Sequence, residues 1–158
     1  MRSPIFVLAA LMSLVAGCGF HLQGTLPIAG GLQRITLQVT DDQSDFVNAM
    51  QRHLRHAGVD VNPDSETVLV IERDELLERV ASVSARNLPR EYELTYAVRF
   101  TVRARGEVRI SSEEVLVTRD FSFDERLALA KEREREQLRE TLAEEAAGIV
   151  LQRLSSLR

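Results

Sequence analysis

The chain has 158 residues and a formal net charge of −4; 28% of its residues are charged and one is a cysteine. This length suits a single domain with a hydrophobic core, and one cysteine excludes an intrachain disulfide, so stability must come from packing. The acidic balance argues against a general nucleic-acid or membrane-surface binder, and any anion site must be a local group of basic side chains.

The N-terminal segment has the features of a secretory signal peptide. Arg2 precedes an apolar run from Ile5 to Val15, and small residues then lead into Cys18. The run is shorter than the ~20 apolar residues that a membrane span needs, and its flanks are typical of a secretory signal. The order Gly17-Cys18 resembles a lipobox, which implies cleavage after residue 17 and acylation of Cys18. The alternatives are a plain signal peptide with an incidental cysteine, or an apolar N-terminal helix.

Cleavage after residue 17 would change the charge of the protein, and lipidation would determine its location. Residues 1–17 contain one basic and no acidic residue, so the mature chain has 19 basic and 24 acidic residues, a net charge of −5. Several acyl chains, each worth ~0.8 kcal/mol per buried CH₂, would anchor it stably. Gly19, and not aspartate, follows the cysteine. By resemblance to Gram-negative lipoproteins, this favours the outer membrane over retention in the inner membrane.

A tether, a short strand and an amphipathic helix are predicted next. Residues 18–32 are rich in glycine and are interpreted as a lipidated tether. Residues 34–39 alternate between apolar and polar side chains, which predicts a half-buried strand. From Phe46 to Ala57, apolar residues recur at three- and four-residue steps, which predicts a helix with Gly58 at its C′ position.

The stretch from Thr67 to Ala85 admits two interpretations. Residues 68–71 form a continuous apolar run, as in a buried strand, whereas residues 74–79 have helical propensity. Because residues 80–83 return to a strand-like composition, we predict one long strand with a bulge near Asp74.

The strongest periodicity of the chain lies between Tyr92 and Ala104. Seven apolar residues occupy every second position there, and only an extended strand places them on one face. Gly106 allows a hairpin turn into a return strand whose apolar face includes Phe123. Beyond it, apolar residues from Leu138 to Leu154 form one stripe, which predicts a C-terminal helix long enough to cover a sheet.

The predicted order of elements is β-α-β-β-β-α. Consecutive strands with short connections favour antiparallel hairpins, and each helix has one apolar stripe to bury. We therefore predict an α+β two-layer sandwich over residues 33–158. In it, two helices cover one face of a four-stranded, mainly antiparallel sheet, and the other face of the sheet is polar.

The sequence gives no positive indication of catalysis or of metal binding. His53 and His56 are spaced for one helix face, but a zinc site needs at least three protein ligands and no nearby residue completes one. The G-x-S-x-G, H-E-x-x-H, P-loop and dinucleotide-binding motifs are all absent from the sequence. Carboxylates are abundant but mixed with arginines, which is typical of a protein surface. We therefore predict no catalytic residue, no metal site and no cofactor other than the lipid on Cys18.

Basic side chains concentrate around the alternating strand and its two turns. They are Arg86, Arg90, Arg99, Arg103, Arg105, Arg109 and Arg119, with Lys131 at the start of the last helix. A guanidinium group holds phosphate or carboxylate oxygens through two parallel hydrogen bonds, so this group is a candidate anion site. Glutamates are interspersed among these residues, and composition alone favours a solvated strand face.

Three short segments carry a resemblance to a known family. They are Cys18-Gly19-Phe20-His21-Leu22, Glu91-Tyr92 and Leu127-Ala128-Leu129-Ala130-Lys131. Together with the order of elements, which extends the likeness over nearly the whole chain, they resemble the LptE family of lipopolysaccharide-assembly lipoproteins. The resemblance implies a non-catalytic plug inside a large barrel partner, LptD, with which it places lipopolysaccharide in the outer leaflet.

The same resemblance implies two residues that bind lipopolysaccharide. Lys131 lies in the A-L-A-K segment, and Arg86 aligns after a one-residue gap before Glu91-Tyr92. Their expected role is to hold the lipid A phosphates or to compete with the divalent cations that bridge them. Two alternatives remain open: a periplasmic-facing lipoprotein adaptor of another envelope complex, and an envelope hydrolase, which would need a concave pocket with perturbed titratable groups.

Overall fold

The computed structural model describes residues 32–157. The elements are β1 (Arg34–Gln38), α1 (Asp45–His56), β2 (Asp60–Val61), β3 (Thr67–Val83), β4 (Pro89–Ala104), β5 (Glu107–Ser122), a 3₁₀ turn (Glu125–Leu127) and α2 (Ala128–Ser155). The predicted signal peptide, Cys18 and nearly all of the predicted tether lie outside the described residues.

The sheet has five strands in the order β2-β1-β3-β4-β5. β1 pairs in parallel with β2 and with β3, whereas the β3/β4 and β4/β5 pairs are antiparallel. The predicted α+β class is confirmed, but the prediction of four strands is wrong. The additional strand, β2, has only two residues, Asp60 and Val61, so it is too short to produce an alternating pattern. Backbone bonds hold it beside β1, as between the Asp60 amide and the Gln33 carbonyl at 2.9 Å.

Helix α1 is capped at its start and is followed by the glycine that the sequence places at its C′ position. The Ser44 hydroxyl accepts a hydrogen bond from the Val47 amide at 3.1 Å and so caps the first turn. Gly58 adopts a φ of +74° just after the helix, a conformation that glycine reaches without steric cost. Because α1 connects β1 to the neighbouring β2, it serves as the crossover that lets these two strands run parallel.

The hydrophobic core lies between the two helices and one face of the sheet. Its largest fully buried side chains from the sheet are Ile35, Leu69, Leu94, Val98, Phe100 and Val102. Phe46, Met50 and Leu54 contribute from α1, and the buried residues of α2 begin at Leu142. The seven-residue alternation of β4 is thus the centre of the core. The first half of α2, by contrast, extends over the sheet with mostly exposed side chains.

Residues Thr67–Val83 form one continuous strand, as predicted, with a bulge two residues before the expected position. The register of β3 and β4 shifts between Ile71 and Arg73, which leaves Glu72 as the bulged residue. Its carboxylate accepts hydrogen bonds from the hydroxyls of Thr101 and Ser112. These two bonds hold the pKa of Glu72 below its ordinary value. The carboxylate thereby joins the irregular segments of three adjacent strands.

Candidate anion-binding site at the end of the sheet

A cavity of about 510 Å³ lies at the end of the sheet that is farthest from Leu32. One wall is the turn between β3 and β4, and the other is the connection between β5 and α2. Its lining residues include Arg86, Leu88, Arg90, Phe123 and Arg126. The cavity therefore combines cationic and apolar side chains from segments that lie about 35 residues apart in the chain.

The β3–β4 turn is held by bonds to a single serine. The Ser84 amide donates to the Leu88 carbonyl at 2.8 Å, and the Ser84 hydroxyl accepts from the Leu88 amide at 3.2 Å. Asn87, a residue that tolerates the left-handed region well, has a φ of +64°. This geometry places Arg86 at the tip of the turn, where it is exposed.

The opposite wall is tied to the start of β4. The Phe123 amide donates to the Arg90 carbonyl at 2.8 Å, so the end of β5 is held against the first residues of β4. Asp124 then caps the 3₁₀ turn by accepting from the Arg126 amide at 3.0 Å. The three arginines of the cavity thus come from the turn, from β4 and from the 3₁₀ turn.

These three arginines differ in whether a carboxylate neutralises them. The Arg126 Nε lies 3.6 Å from Asp124 Oδ1. Among residues 32–157, no carboxylate oxygen lies within 4 Å of the guanidinium of Arg86 or of Arg90. Arg86 and Arg90 are therefore the cations of this cavity that remain available to an anionic ligand.

The structure places Lys131 at the same end of the molecule as Arg86, but its ammonium group is already engaged. Lys131 Nζ lies 2.8 Å from Glu134 Oε2 and 3.4 Å from the Ser122 hydroxyl. It also lies 5.4 Å from the centroid of the Phe121 ring, within the range of a cation–π interaction. The side chain is only 16% exposed. The two residues implied by the resemblance are thus near one end of the sheet in different environments.

The other arginines of the sequence group do not join this site. Arg99 and Arg103 are on the outer face of β4, where Arg99 pairs with Glu114 at 2.9 Å. Arg119 pairs with Glu145 of α2 at 2.7 Å, and Arg105 and Arg109 lie at the opposite end of the sheet. Arg99, Arg105, Arg109 and Arg119 each have a glutamate oxygen within 4 Å, as is typical of a charge-mixed surface. Arg126 was not in the sequence group, because only the folding of residues 123–126 against β4 brings it to the cavity.

Two histidines, His53 and His56, lie in the described part of the chain, and both are in α1. His53 Nε2 lies 3.2 Å from Glu144 Oε1. In the part of the chain that the structure describes, His, Cys, Asp and Glu side chains form no group of three or more that could hold a metal ion. Within the same part, no helix is long and apolar enough to cross a membrane.

Comparisons with known proteins give a consistent result. A model of the LptE family, described as Lipopolysaccharide-assembly, matches residues 32–154. The LPS-assembly lipoprotein LptE of Pectobacterium atrosepticum is 29% identical over 164 residues, covering 99% of this chain and 88% of that protein. The protein of the same name from Yersinia pestis (strain Pestoides F) is 30% identical, covering 97% of this chain and 75% of its own length.

Solved structures show the same fold. The crystal structure of the rare lipoprotein B from Shewanella oneidensis has a TM-score of 0.70 and 29% identity, covering 78% of this chain and 94% of that one. A lipoprotein B of Nitrosomonas europaea has a TM-score of 0.72 at 22% identity, covering 87% and 91% of the two chains, and supports the fold alone.

These matches show the family of the chain and bear on the question of catalysis. The family model spans most of the chain, including every element from β1 to the greater part of α2. LptE proteins are non-enzymatic accessory lipoproteins of lipopolysaccharide assembly, so the prediction that the chain is not an enzyme is confirmed. The chain belongs to the LptE family of lipopolysaccharide-assembly lipoproteins.

Proposed function

We propose that the chain is the lipoprotein subunit of an outer-membrane translocon that inserts lipopolysaccharide into the outer leaflet. In this role it plugs an LptD-type barrel, assists the assembly of that barrel and binds lipopolysaccharide during transport. The observation that carries the proposal is the family match over residues 32–154, supported by the relatives named for lipopolysaccharide assembly.

The outer face of the sheet suits contact with a barrel wall. The lumen of a large barrel is polar, so a plug needs a compact core and an exterior with charges of both signs. On this face Arg79 pairs with Glu93 at 3.0 Å, and Thr95 and Thr118 share a hydrogen bond of 2.9 Å. Enclosure in a lumen would remove such pairs from bulk water and raise their electrostatic contribution above that of exposed pairs.

Membrane attachment is proposed through the N-terminal segment. Cleavage after residue 17 would leave Cys18 at the mature N-terminus, where acyl chains on its thiol and amine would hold the protein in the outer membrane. Residues 18–32, which are rich in glycine, would then be the tether between the lipid and β1.

A barrel-assembly experiment tests the translocon role. Depletion of the protein in its host should lower the amount of correctly folded LptD and of lipopolysaccharide at the cell surface, because the barrel would fold without its plug. Copurification from detergent extracts should recover the chain with LptD in equal amounts. Unchanged barrel levels after depletion, or recovery with a different barrel or a secretin, would contradict the proposal and favour an adaptor of another envelope complex.

Lipopolysaccharide binding is proposed to involve Arg86 and Lys131, and a charge reversal tests it. The double variant Arg86→Asp with Lys131→Asp should bind lipopolysaccharide at least roughly tenfold more weakly, since a tenfold change needs only ~1.4 kcal/mol. Binding would be measured with the purified protein, and thermal unfolding would verify that the domain folds. The matched control, Arg55→Asp with Arg103→Asp, makes the same charge change on α1 and on the outer face of β4. Equal binding by the test variant and the wild type would rule out this site.

A further inference from the structure

We infer that a second cavity, at the Leu32 end of the sheet, binds the headgroup of an aminophospholipid of the membrane. In this arrangement Arg34 holds the phosphate and Asp64 accepts hydrogen bonds from the primary ammonium group. The inference rests on the membrane attachment in the proposed function, and it adds a phospholipid site at the end of the molecule opposite to Arg86.

This cavity lies where the described part of the chain begins. Its volume is about 540 Å³, within the range of ~300–1,000 Å³ that is usual for small-molecule sites. Leu32, the first described residue, lines it. Residues 18–32 can span at most about 50 Å even when fully extended. An acylated Cys18 would therefore keep the cavity close to the headgroups, where their high effective concentration makes a weak affinity sufficient.

The charges of the cavity fit a ligand that is both anionic and cationic. Arg34 and Asp64 line it and are exposed. Among residues 32–157, no carboxylate oxygen lies within 4 Å of the Arg34 guanidinium, and no basic nitrogen lies within 4 Å of the Asp64 carboxylate. Arg105, in contrast, is paired with Glu66 at 3.5 Å. A phosphate with a neighbouring ammonium group can thus bind both free charges without breaking an internal ion pair.

The backbone around these two charges is already fixed. The Ser65 hydroxyl donates to the Arg34 carbonyl at 2.7 Å, and the Ser65 amide donates to the Thr36 hydroxyl at 3.1 Å. The Asp64 amide donates to Asn62 Oδ1 at 2.9 Å. The loop between β2 and β3 is thereby fastened to β1. Binding a headgroup therefore requires ordering only of side chains, which lowers its entropic cost.

Two apolar residues and the position of the cavity indicate that the zwitterion belongs to a lipid. Leu32 and Leu157 line the cavity, and both are partly buried against the hydrophobic core. They provide an apolar surface for the glycerol backbone of a phospholipid, next to the charges that hold its headgroup. An anionic headgroup without an amine would leave Asp64 unpaired, and a quaternary amine has no N–H group to donate to it.

Headgroups without acyl chains test the site, because they stay out of detergent micelles. The purified, lipidated full-length protein in an uncharged detergent would be titrated with glycerophosphoethanolamine, glycerophosphocholine and glycerophosphoglycerol, and its amide chemical shifts would be followed by NMR. The ethanolamine compound should bind at least roughly threefold more tightly than the other two, since only it carries charged N–H donors beside its phosphate. The amides of Arg34 and Asp64 should shift with it.

Two neutral substitutions separate the two charges of the ligand. Arg34→Gln should weaken the binding of all three headgroups roughly tenfold, because each contains the phosphate. Asp64→Asn should weaken only the ethanolamine compound, to the level of the choline compound. The matched controls, Arg133→Gln on α2 and Asp120→Asn on β5, make the same charge changes in the other half of the molecule and should bind as the wild type does. Thermal unfolding would verify that each variant folds.

The possible results are distinguishable. An ethanolamine preference that Asp64→Asn abolishes would support the assignment. Equal binding of the ethanolamine and choline compounds, or binding that Arg34→Gln leaves unchanged, would overturn it, as would competition by inorganic phosphate at the same concentration. Mass spectrometry of the intact protein tests membrane attachment separately. Absence of acyl chains on Cys18 would contradict the proposed function, whereas a failed headgroup titration of the acylated protein would overturn the present inference alone.

Discussion

Replacement of Phe100 by alanine should lower the free energy of unfolding by about 3–5 kcal/mol, the usual cost of removing a buried phenylalanine ring. Phe100 is 0% exposed and lies on the buried face of the alternating strand β4. It belongs to a buried cluster to which the sheet and both helices contribute, so we expect the close-packed surroundings to fill the resulting cavity only in part. Because domains are stable by only about 5–15 kcal/mol in total, this loss would be a large fraction of the stability.

Urea denaturation measures this effect, with a control on the other face of the sheet. The midpoint should fall strongly in Phe100→Ala while the dependence on urea concentration stays constant. Leu116→Ala in β5 removes a side chain that is 57% exposed, and should change the stability by less than about 1 kcal/mol. Comparable losses in the two variants would contradict a core located on the helix side of the sheet.

Replacement of Asp74 by alanine should cost roughly 3 kcal/mol, because two hydrogen bonds to its carboxylate are lost together. Asp74 accepts from the Tyr96 hydroxyl at 2.6 Å and from the Ser44 hydroxyl, and Ser44 is the N-cap of α1. The carboxylate thus joins the helix cap to β4. In Asp74→Ala, the hydroxyl of the buried Tyr96 would lose its carboxylate partner. The Ser44 hydroxyl would also lose its bond to the sheet.

A double-mutant cycle and a pH series test this arrangement. Asp74→Ala should cost about 1–2 kcal/mol less in a Tyr96→Phe background, since the shared bond is then already absent. Burial, with the bond to Asp74, raises the pKa of Tyr96, which disfavours its ionised form in the folded protein. Stability should therefore fall as the pH rises above 10, where an unfolded tyrosine ionises, and Tyr96→Phe should reduce that fall. Additive costs and an unchanged alkaline slope would contradict the network.

The sequence predicted those elements whose side chains reveal a single buried face. The alternation of β4 and the stripe of α1 correspond to the core, and the apolar run of residues 68–71 continues into one long strand. β2 could not be predicted, because its pairing depends on backbone bonds and both of its side chains are exposed. Asp74 was expected at the bulge. It is instead paired in register with Val98, since the stabilising partners of the bulge belong to Glu72.

The candidate site was predictable only in part. Arg86 and Lys131 came from a resemblance to a family, and composition alone could not separate Arg90 from its paired neighbours. Whether an arginine is neutralised depends on which glutamates the strand register brings opposite it, as with Arg99 and Glu114. The cavity itself forms where the Phe123 amide meets the Arg90 carbonyl, a contact between residues far apart in the sequence that leaves no local pattern.

The length of the β3–β4 hairpin sets the distance between the two ends of the molecule. β1 stops beside Val70, and from there β3 continues to Val83 paired only with β4. From Val68 to Val83 the strand spans about 50 Å, at ~3.3 Å per residue. This length is slightly greater than the ~40–45 Å thickness of a bilayer with its headgroups. In a molecule tethered at the Leu32 end, the arginine-lined end of the sheet would therefore lie about one membrane thickness away from the tether.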